Sequence, residues 1–381
     1  MNKYLFLISI SLLLVLSFSL YGEDWTNFRK DNFHSGRTSQ LLQPPLVVKW
    51  KFNTQGKIVS SPAIAGDIVY FGSRDNTLYA IDKNTGSLIW KFKTDGWIDS
   101  SPAVKDERVY FSSRDGFFYC LDASKGDLIW KYQTKGGDCS SPLVDEGKVF
   151  FGSGYPNKTI YALDANNGEK IWEYETKQMV YSSPAIFGNK LFIGANDGDI
   201  YCLDKNKGSL LWRYHTSGGI YFASPAIDEE RVYISPGNFD WAIYALELNS
   251  GNLLWKHIIE DRVSTPNYVS SPALSLDKVL VVCGYSQQYL YCLDKRKGTS
   301  FWKRELDSAS RFGFSSSPCI AGDVVYVVSA QGKVKAISIE NGELVWEYDL
   351  HSQVLSSPVV SDDLLFIATL DGSLYALTSL Y

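Results

Sequence analysis

The amino-acid sequence predicts an all-β protein, namely an eight-bladed β-propeller built from four-stranded antiparallel blades. Three observations support this fold class. A Ser-Ser-Pro motif recurs about every forty residues, which is the blade length of a propeller. A second motif, Asp-x-x-x-Gly-x-x-x-Trp, recurs in step with it, and the short apolar runs between the motifs are rich in Val, Ile, Tyr and Phe, as strands are.

The Ser-Ser-Pro motif opens each repeat. Seven copies and one Ala-Ser-Pro variant make eight repeats along the chain. In chain order they lie at Ser60–Pro62, Ser100–Pro102, Ser140–Pro142, Ser182–Pro184, Ala223–Pro225, Ser270–Pro272, Ser316–Pro318 and Ser356–Pro358.

Each repeat contains four candidate strands. In the first repeat, three apolar runs follow the strand that begins at the motif, at Asp67–Ser73, Thr77–Asp82 and Ser87–Lys93. The turn between the second and third strands carries Asp75-Asn76, a pair that favours the positive φ angles of a type I′ hairpin. Four antiparallel strands per repeat, without a helical period in the mature chain, indicate a propeller blade.

The second motif is explained by the outer edge of such a blade. Asp82 hydrogen-bonds the backbone of its own turn, and Gly86 supplies the positive φ that reverses the third strand into the fourth. Trp90 then falls on the outermost strand, where the gap between neighbouring blades widens and a large flat side chain is needed. The same structural role is predicted for all eight repeat tryptophans: Trp50, Trp90, Trp130, Trp172, Trp212, Trp255, Trp302 and Trp346.

The ring is predicted to close through the amino-terminal strand. The eighth repeat ends at Leu374–Tyr381, after its third strand, with no Trp strand to follow. Leu46–Asn53 contains Trp50 at the usual interval before the first Ser-Ser-Pro, so this segment completes the last blade. The propeller is therefore assigned to residues 44–381, and a leader to residues 23–43.

Residues 1–22 are predicted to be a secretory signal peptide. Lys3 is followed by an apolar run from Tyr4 to Phe18 and then by small residues up to Gly22. An uncleaved anchor helix is the alternative, although the run is short for a membrane span. We expect an exported monomer, in the periplasm, at the cell surface or secreted. The net charge of −5, without a basic block, argues against a nucleic-acid partner.

The repeats resemble those of a known family. The Ala-x-Asp-x-x-x-Gly-x-x-x-Trp spacing of Ala80–Trp90 and Ala162–Trp172 resembles the tryptophan-docking motif of the pyrroloquinoline-quinone-like (PQQ-like) propellers. The segment Trp25–Gly36 resembles the leader before the first blade of such proteins. The resemblance covers essentially the whole mature chain. It implies the propeller fold, and a role like that of either the quinoprotein dehydrogenases or the outer-membrane assembly propeller BamB.

The sequence offers no catalytic constellation. The resemblance implies that a quinoprotein alcohol dehydrogenase would carry two adjacent cysteines and a calcium site, but no two cysteines are adjacent here. Neither a haem-attachment motif nor a Gly-x-Ser-x-Gly nucleophile motif is present. The histidines lack the spacing of metal ligands: His34, His215, His257 and His351. We expect no catalytic residue, no metal and no cofactor.

Most cysteines fit the role of small core residues, because Cys120 and Cys202 occupy the position that Ala80 holds in the first repeat. One pair differs. If the sixth hairpin turns at Gln287-Gln288, Cys283 faces Cys292 across two strands at the close separation of a non-hydrogen-bonded pair. A disulfide between them and free thiols remain the two alternatives.

Two long loops, Ile259–Val269 and Leu306–Phe314, are predicted to form a lip on one face. They combine guanidinium groups with aromatic rings, as interface centres do: Arg262, Tyr268, Arg311, Phe312 and Phe314. The leading interpretation is a non-catalytic, BamB-like scaffold that binds a protein in the cell envelope through this lip. Alternatively, the loops only cover the channel mouth.

Two other functions remain open. One is a quinone- or small-ligand-binding propeller, in which a funnel is lined by Arg74, Trp97, Asp99 and Arg114. PQQ and calcium are expected only in that case. The other is a structural module of the cell envelope.

Overall fold

The computed structural model describes residues 23–137, 140–237, 240–259, 269–284, 287–308 and 316–380. These residues form eight antiparallel sheets of four strands, and a short leader strand adds a parallel fifth strand to one of them. In every sheet the strands, called a to d from the axis outwards, lie side by side, and the a strands of successive sheets contact one another around the axis. The predicted eight-bladed propeller is confirmed. The predicted signal peptide lies outside the described residues.

The first four blades follow the chain directly. Their strands are Ala63–Ala65, Ile68–Ser73, Thr77–Asp82 and Leu88–Lys93 in blade one; Ala103–Lys105, Arg108–Ser113, Phe117–Asp122 and Leu128–Gln133 in blade two; Leu143–Asp145, Lys148–Gly152, Thr159–Asp164 and Lys170–Glu175 in blade three; and Ala185–Phe187, Lys190–Gly194, Asp199–Asp204 and Leu210–His215 in blade four.

The other four blades repeat the order. Their strands are Ala226–Ile227, Arg231–Ile234, Ala242–Glu247 and Leu253–Ile258 in blade five; Ala273–Leu274, Lys278–Cys283, Gln287–Asp294 and Ser300–Ser308 in blade six; Cys319–Ala321, Val324–Val328, Lys333–Ser338 and Leu344–Asp349 in blade seven; and Val359–Ser361, Leu364–Ala368, Ser373–Ser379 and Leu46–Asn53 in blade eight.

Blade eight is completed by the amino-terminal strand, as predicted. Leu46–Asn53 pairs antiparallel with Ser373–Ser379, and Trp50 lies opposite Ala376. The ring is thus closed by hydrogen bonds between the two ends of the described chain, because the Leu380 amide also donates to the carbonyl of Pro45 at 3.0 Å.

Strands b and c are buried on both sides because each blade is sandwiched between two others. Alternate side chains point to opposite neighbours. Tyr70 packs with the residues of blade two, whereas Phe71 packs with those of blade eight. Most interfaces between blades are therefore separate apolar layers made from both neighbours, whereas the layers on the two sides of blade eight join into one.

Seven of the eight repeat tryptophans are hydrogen-bonded to the next blade, whereas Trp346 packs against the apolar layer of blade eight and makes no such bond within the described residues. Trp90 Nε1 donates to the carbonyl of Ala123 in the next blade at 2.9 Å, and a β-carbon on Gly126 would lie only 2.6 Å from Trp90 Cε3. Gly126 also has a φ of +76°, so the motif glycine is required for close approach as well as for the turn. The same indole hydrogen bond to the next blade is made by Trp50, Trp130, Trp172, Trp212, Trp255 and Trp302.

The two turn types differ in how well the sequence predicted them. Asp82 Oδ1 accepts the Thr85 amide at 2.7 Å, as expected, and this bond holds the pKa of Asp82 below its usual value. The b–c turn is not type I′. Ser73 pairs with Thr77, and Asn76 is the residue with positive φ, at 68°. The loop therefore has three residues, a common hairpin alternative with one left-handed position.

A closed ring of serines surrounds the channel. The second serine of each motif donates its amide to the serine hydroxyl of the next blade; Ser61 N donates to Ser101 Oγ at 2.9 Å, for example. The series runs through all eight blades: Ser61, Ser101, Ser141, Ser183, Ser224, Ser271, Ser317 and Ser357. The first serine acts within its blade, since Ser140 Oγ accepts the Gly152 amide on strand b.

The leader plugs one end of the channel. Its carbonyl groups accept amides from the a strands of successive blades: Val104 donates to Thr26, Ile186 to Asn32, Ile227 to Phe33, Leu274 to Ser35 and Ile320 to Gly36. Arg37–Thr38 then pairs in parallel with Cys319–Ala321. We call this end, where the a–b turns lie, the leader face, and the opposite end the funnel face.

Two basic side chains of the leader are buried in the plug. Arg29 donates to the carbonyls of Pro318 and Pro272 at 2.6 and 3.0 Å, and burial lowers its pKa to about 10. His34 Nδ1 lies 3.1 Å from the Pro225 carbonyl. Burial, together with the charge of Arg29, lowers the pKa of His34 to about 3.

The predicted facing of Cys283 and Cys292 is wrong. Cys283 lies opposite Tyr289 and Cys292 opposite Leu280, because the hairpin turns before Gln287 rather than at Gln287-Gln288. This shift puts the two thiols on opposite faces of blade six, and they pack into different apolar layers. A disulfide between them is therefore excluded by the register.

No helix in the described part of the chain is long and apolar enough to cross a membrane.

Candidate functional site

On the funnel face, the described residues of the channel line a cavity of about 370 Å³. Phe28 of the leader and the second serines of several motifs line its inner part. The leader occupies the opposite end of the channel. This funnel is the candidate functional site.

The structure brings Arg74, Asp99 and Arg114 together at one side of the mouth. Arg74 Nε and Nη2 donate to the two carboxylate oxygens of Asp99 at 2.8 and 3.0 Å, and Arg114 Nη2 lies 2.9 Å from Asp99 Oδ2. The three residues come from different loops: Arg74 and Arg114 open the b–c loops of blades one and two, and Asp99 lies on the connection between these blades. Paired planar groups of this kind give strong, directional hydrogen bonds.

Trp97 lies on the same connection and covers both guanidinium groups. The guanidinium carbons of Arg74 and Arg114 are 4.8 and 5.1 Å from its ring centroid, within the range of a cation–π contact. The Arg114 amide also donates to the Trp97 carbonyl at 2.8 Å, which fixes the loop. Trp97 remains 42% exposed. The indole of Trp97 is therefore partly exposed to solvent and is held in place by the guanidinium groups of Arg74 and Arg114.

Across the funnel, aromatic residues of blades four and five form a wall. The rings of Tyr181 and Tyr221 are nearly parallel, with centroids 6.2 Å apart, and Phe222 lies 5.4 Å from Tyr181. Phe222 is half exposed, and Tyr155 beside the wall is 71% exposed. The mouth is therefore charged on one side and aromatic on the other.

Sequence reasoning did not identify this wall, although a signal exists. Tyr181 and Asp99 each immediately precede a Ser-Ser-Pro motif, and so do Val59 and Leu355, which also line the funnel. The residue before the motif therefore faces the mouth in these four blades. The serine hydroxyls of the inner lining were also missed, since their role depends on closure of the ring.

The described lining does not fit calcium-dependent PQQ chemistry. Calcium takes six to eight oxygen ligands, usually including carboxylates. Asp99 supplies the sole carboxylate among the described lining residues, and both of its oxygens are bonded to arginines. Two guanidinium groups beside a site for Ca²⁺ would repel the ion, so we derive no redox step here.

The predicted lip cannot be placed. Arg262, Tyr268, Arg311, Phe312 and Phe314 all lie outside the described residues. The strand that precedes the second lip loop, Ser300–Ser308, is the outer strand of blade six.

A larger cleft of about 790 Å³ lies on the leader face beside blades five and six. Phe33 and Leu276 are exposed there, but several of the charged side chains neutralise one another. Lys295 lies 3.0 Å from Asp228, and Arg231 lies 2.8 Å from Glu230. The funnel is therefore the better candidate, since its charged groups converge on one open cavity.

Eight blades of these repeats, with indoles joined to the next blade, define a PQQ-like β-propeller. The chain belongs to the family described as "Beta-alanine-activating enzyme, beta-propeller", whose model matches residues 34–235, just over half of the chain. A second family model, described as "Outer membrane protein assembly factor BamB", matches residues 286–380. No curated protein matches the chain in sequence.

Solved structures with the same fold have diverse functions. BamB from Moraxella catarrhalis is 17% identical, with a TM-score of 0.75, over 89% of this chain and 99% of its own. The quinohemoprotein alcohol dehydrogenase from Comamonas testosteroni is 16% identical, with a TM-score of 0.79, over 93% of this chain and 80% of its own. The computationally designed Ika8 protein is 18% identical, with a TM-score of 0.73, over 90% of this chain and 100% of its own. These likenesses establish the fold, and function must be argued from the site.

Proposed function

We propose that this chain is a non-catalytic, exported propeller that binds a protein partner through its funnel face and acts as a scaffold in the cell envelope. The observation that carries the proposal is the Arg74–Trp97–Arg114 cluster. Trp and Arg are the residues most enriched at the energetic centres of protein interfaces. Here a half-exposed indole is fixed by two guanidinium groups before any partner arrives, which reduces the entropy lost on binding.

The chemistry of the funnel supports binding over catalysis. A general base must accept a proton, but the Asp99 carboxylate is already engaged by two arginines. Among the described residues, no group of three or more His, Cys, Asp or Glu side chains is placed to hold a metal ion. The likeness to BamB supports an envelope role, as does the predicted signal peptide.

Capture of the partner tests the proposal. The full mature chain is immobilised and exposed to envelope extract from its own organism, and bound proteins are compared with those retained by Trp97→Ala. We expect a specific protein on the wild type and at least a thirtyfold loss of affinity with the variant, about 2 kcal/mol. Absence of any specific protein on the wild type would contradict the scaffold function.

The predicted lip gives a second variant. Replacing Arg311 and Phe314 together by Ala should weaken the same partner by about 2 kcal/mol or more if the lip is part of the interface. Circular dichroism and thermal melting check that the fold is retained. If the double variant binds the partner with wild-type affinity, the loops only cover the channel mouth.

Binding of a quinone or another small ligand is the second candidate, because the funnel combines guanidinium groups with an aromatic wall. Titration of the protein with PQQ, with and without calcium, tests it by absorption spectroscopy. We expect no calcium-dependent spectral change, since the described lining lacks ligands for the ion. A saturable change with Ca²⁺ that is abolished by Arg74→Gln would favour the ligand-binding function instead.

A further inference from the structure

We infer that the outer strands of blades eight, one and two form a second interaction surface, which binds an extended acidic segment of a protein. These strands are Leu46–Asn53, Leu88–Lys93 and Leu128–Gln133, and together we call them the basic rim. They belong to successive blades and lie at the circumference of the propeller, whereas the funnel lies at its axis. The inference goes beyond the proposed function and does not depend on it.

The charged side chains of the basic rim are all of one sign. Its three strands carry five lysines and no acidic residue, although the net charge of the chain is −5. Strand d is the last strand of each blade, and all five lysines on it are exposed: Lys49, Lys51, Lys91, Lys93 and Lys131. Because interacting surfaces match in charge, carboxylates are the partner groups that this surface favours.

The neighbours of these lysines within the sheet are neutral. A tyrosine of strand c lies opposite Lys51, Lys91 and Lys131. Lys51 and Lys131 also lie over aromatic rings, with Nζ 4.9 and 4.4 Å from the ring centroids. A ring face attracts an ammonium group without neutralising its charge. No ion pair in the described part of the chain includes a lysine of the basic rim.

The b–c loops that adjoin the basic rim do carry carboxylates, but these are held within their own blades. Asp75 Oδ2 accepts the Tyr79 hydroxyl at 2.7 Å, and Asp115 Oδ2 accepts the Tyr119 hydroxyl at the same distance. Asp371 Oδ1 accepts a backbone amide of blade eight at 3.2 Å. These groups offset part of the positive charge, but none of them forms an ion pair with the rim lysines.

The outer strands of other blades pair their cations with carboxylates. In blades three, four and five, the pairs lie within one blade: Lys170 with Glu173 at 2.9 Å, Arg213 with Asp199 at 3.7 Å and Lys256 with Asp240 at 3.7 Å. Blades eight, one and two share the same strand order but lack such pairs. The basic rim therefore differs from the rest of the circumference in its unpaired charge.

Protection of the exposed edge does not explain this difference. Lysines on an edge strand hinder the pairing of one sheet with another. A charged group of either sign serves that purpose, and the outer strand of blade seven carries Glu347 and Asp349 instead. Edge protection would thus distribute both signs around the ring, whereas the unpaired lysines are concentrated in three successive blades.

Apolar side chains accompany the lysines on the same strands. The residues just before the repeat tryptophans are exposed in all three blades: Val47, Leu88, Ile89, Leu128 and Ile129. Burial of such side chains by a partner contributes affinity that charge alone does not supply. The segment that fits the basic rim therefore carries apolar residues among its acidic ones.

The curvature of the basic rim favours a segment over a membrane. The outer strands of three successive blades in an eight-bladed ring turn through a quarter of the circle. A flat bilayer meets the convex side of such an arc mainly at its middle blade. An extended chain follows the arc and reaches the lysines of all three blades.

A synthetic acidic peptide tests the inference. A fluorescein-labelled peptide of Glu-Leu-Gly repeats, long enough to span three blades, is titrated with the full mature chain and followed by fluorescence anisotropy. We expect saturable binding that weakens as NaCl is added, because salt screens exposed charges. The same peptide with Gln in place of every Glu should not bind measurably.

Matched variants locate the bound peptide. Replacing Lys51, Lys91 and Lys131 together by Gln removes one charge from each blade of the basic rim and should weaken binding by about tenfold or more, because weak exposed ion pairs add over a surface. Arg at the same three positions should restore it. The control replaces the cations that follow the repeat tryptophans of blades four, five and six by Gln: Arg213, Lys256 and Lys303.

The control variant has the same net charge as the rim variant, so it should bind the peptide within about twofold of the wild type if the basic rim is the site. Thermal melting checks that both variants are folded. No binding of the acidic peptide, equal binding of the Gln peptide, or equal loss in the two triple variants would overturn the inference.

Two further measurements distinguish the basic rim from other sites and occupants. Trp97→Ala changes the funnel and should leave the affinity for the acidic peptide unchanged, whereas a loss as large as that of the rim variant would place the peptide in the funnel. Vesicles of phosphatidylglycerol should not sediment with the protein. If they bind the wild type but not the rim variant, while the acidic peptide does not bind, the basic rim is a membrane surface and the inference is wrong.

Discussion

The backbone N–H of Ser357, in the last blade, donates to the hydroxyl of Ser61, in the first, at 2.9 Å. These residues are almost 300 positions apart, and yet their contact repeats the one that Ser61 makes with Ser101 in the next blade. The series of serine hydrogen bonds is therefore a closed ring around the axis, without a first or a last member. Leu46–Asn53 completes blade eight at its outer edge, and the Ser357–Ser61 bond joins blade eight to blade one at the axis.

Removal of the amino-terminal strand should destabilise the protein strongly. A chain that begins after Asn53 leaves Ser373–Ser379 as an unpaired edge and loses Trp50 from the last interface. We expect aggregation or a large fall in melting temperature. A chain that begins at Glu23 is the control and retains both the leader and the strand. Equal melting of the two chains would be incompatible with closure in blade eight.

The repeat tryptophans should matter far more than Trp97 for stability. Trp130 is buried and donates to the Ala165 carbonyl at 3.1 Å, so Trp130→Ala should cost about 3–5 kcal/mol of unfolding free energy. Trp97→Ala should cost less than about 1 kcal/mol, since the ring is half exposed. Denaturant unfolding followed by circular dichroism measures both. Similar costs would mean that the indole does not join the blades.

The serine ring should contribute to the free energy of unfolding, because its hydroxyl groups accept hydrogen bonds from buried backbone amides. Ser101→Ala removes the acceptor of the Ser61 amide and should cost about 1–3 kcal/mol, the usual penalty for an unsatisfied buried donor. Ser209→Ala is the control, because Ser209 is exposed on blade four and should be nearly neutral. The comparison uses chemical denaturation at constant pH. A neutral Ser101→Ala would show that water replaces the hydroxyl.

The buried histidine of the leader should make stability depend on pH. The pKa of His34 is lowered to about 3 in the folded chain, whereas an unfolded histidine titrates near 6.5. Between these values the unfolded chain binds a proton that the folded chain does not bind. The free energy of unfolding should thus fall as pH decreases, by up to about 1.4 kcal/mol per pH unit from this residue.

His34→Asn tests that dependence. Asn tolerates the φ of 54° and retains a donor for the Pro225 carbonyl, but it does not titrate. The stability difference between wild type and variant should shrink as pH falls from 7 to about 4. The exposed His351→Asn, at a residue with a similar φ of 53°, is the control for the substitution itself. Parallel profiles for wild type and His34→Asn would place the acid sensitivity elsewhere.

The repeats made the fold predictable, because eight copies fix both the strand number and the interval between blades. The charged side of the funnel was also accessible from sequence, since Arg74 and Arg114 open equivalent loops and Asp99 lies between them. The turn of the sixth hairpin could not be predicted correctly from the sequence. A shift of its turn away from Gln287-Gln288 moved Cys283 to the other face of the blade, because side chains alternate along a strand.

Other features depend on closure of the propeller ring, and no short sequence pattern predicts them. Asp-Gly and Asp-Asn pairs suit more than one hairpin, so the sequence predicts a two-residue turn where the structure has a three-residue loop that begins at Arg74. The hydrogen bond between Ser61 and Ser101 needs the curvature of the ring. The course of the leader along the axis is set by contacts with blades that are far away in sequence.

The leader has a consequence for the number of blades. It meets blade one at Trp25, blade two at Thr26, and blades four to seven in order between Asn32 and Gly36, while Glu23 contacts Ser361 of blade eight. Because the leader has a fixed length and contacts the blades in order, it fits only one circumference of the ring of blades. Gain or loss of one repeat by recombination would leave it too short or too long for its contacts, so duplication within this gene is constrained by a segment outside the repeats.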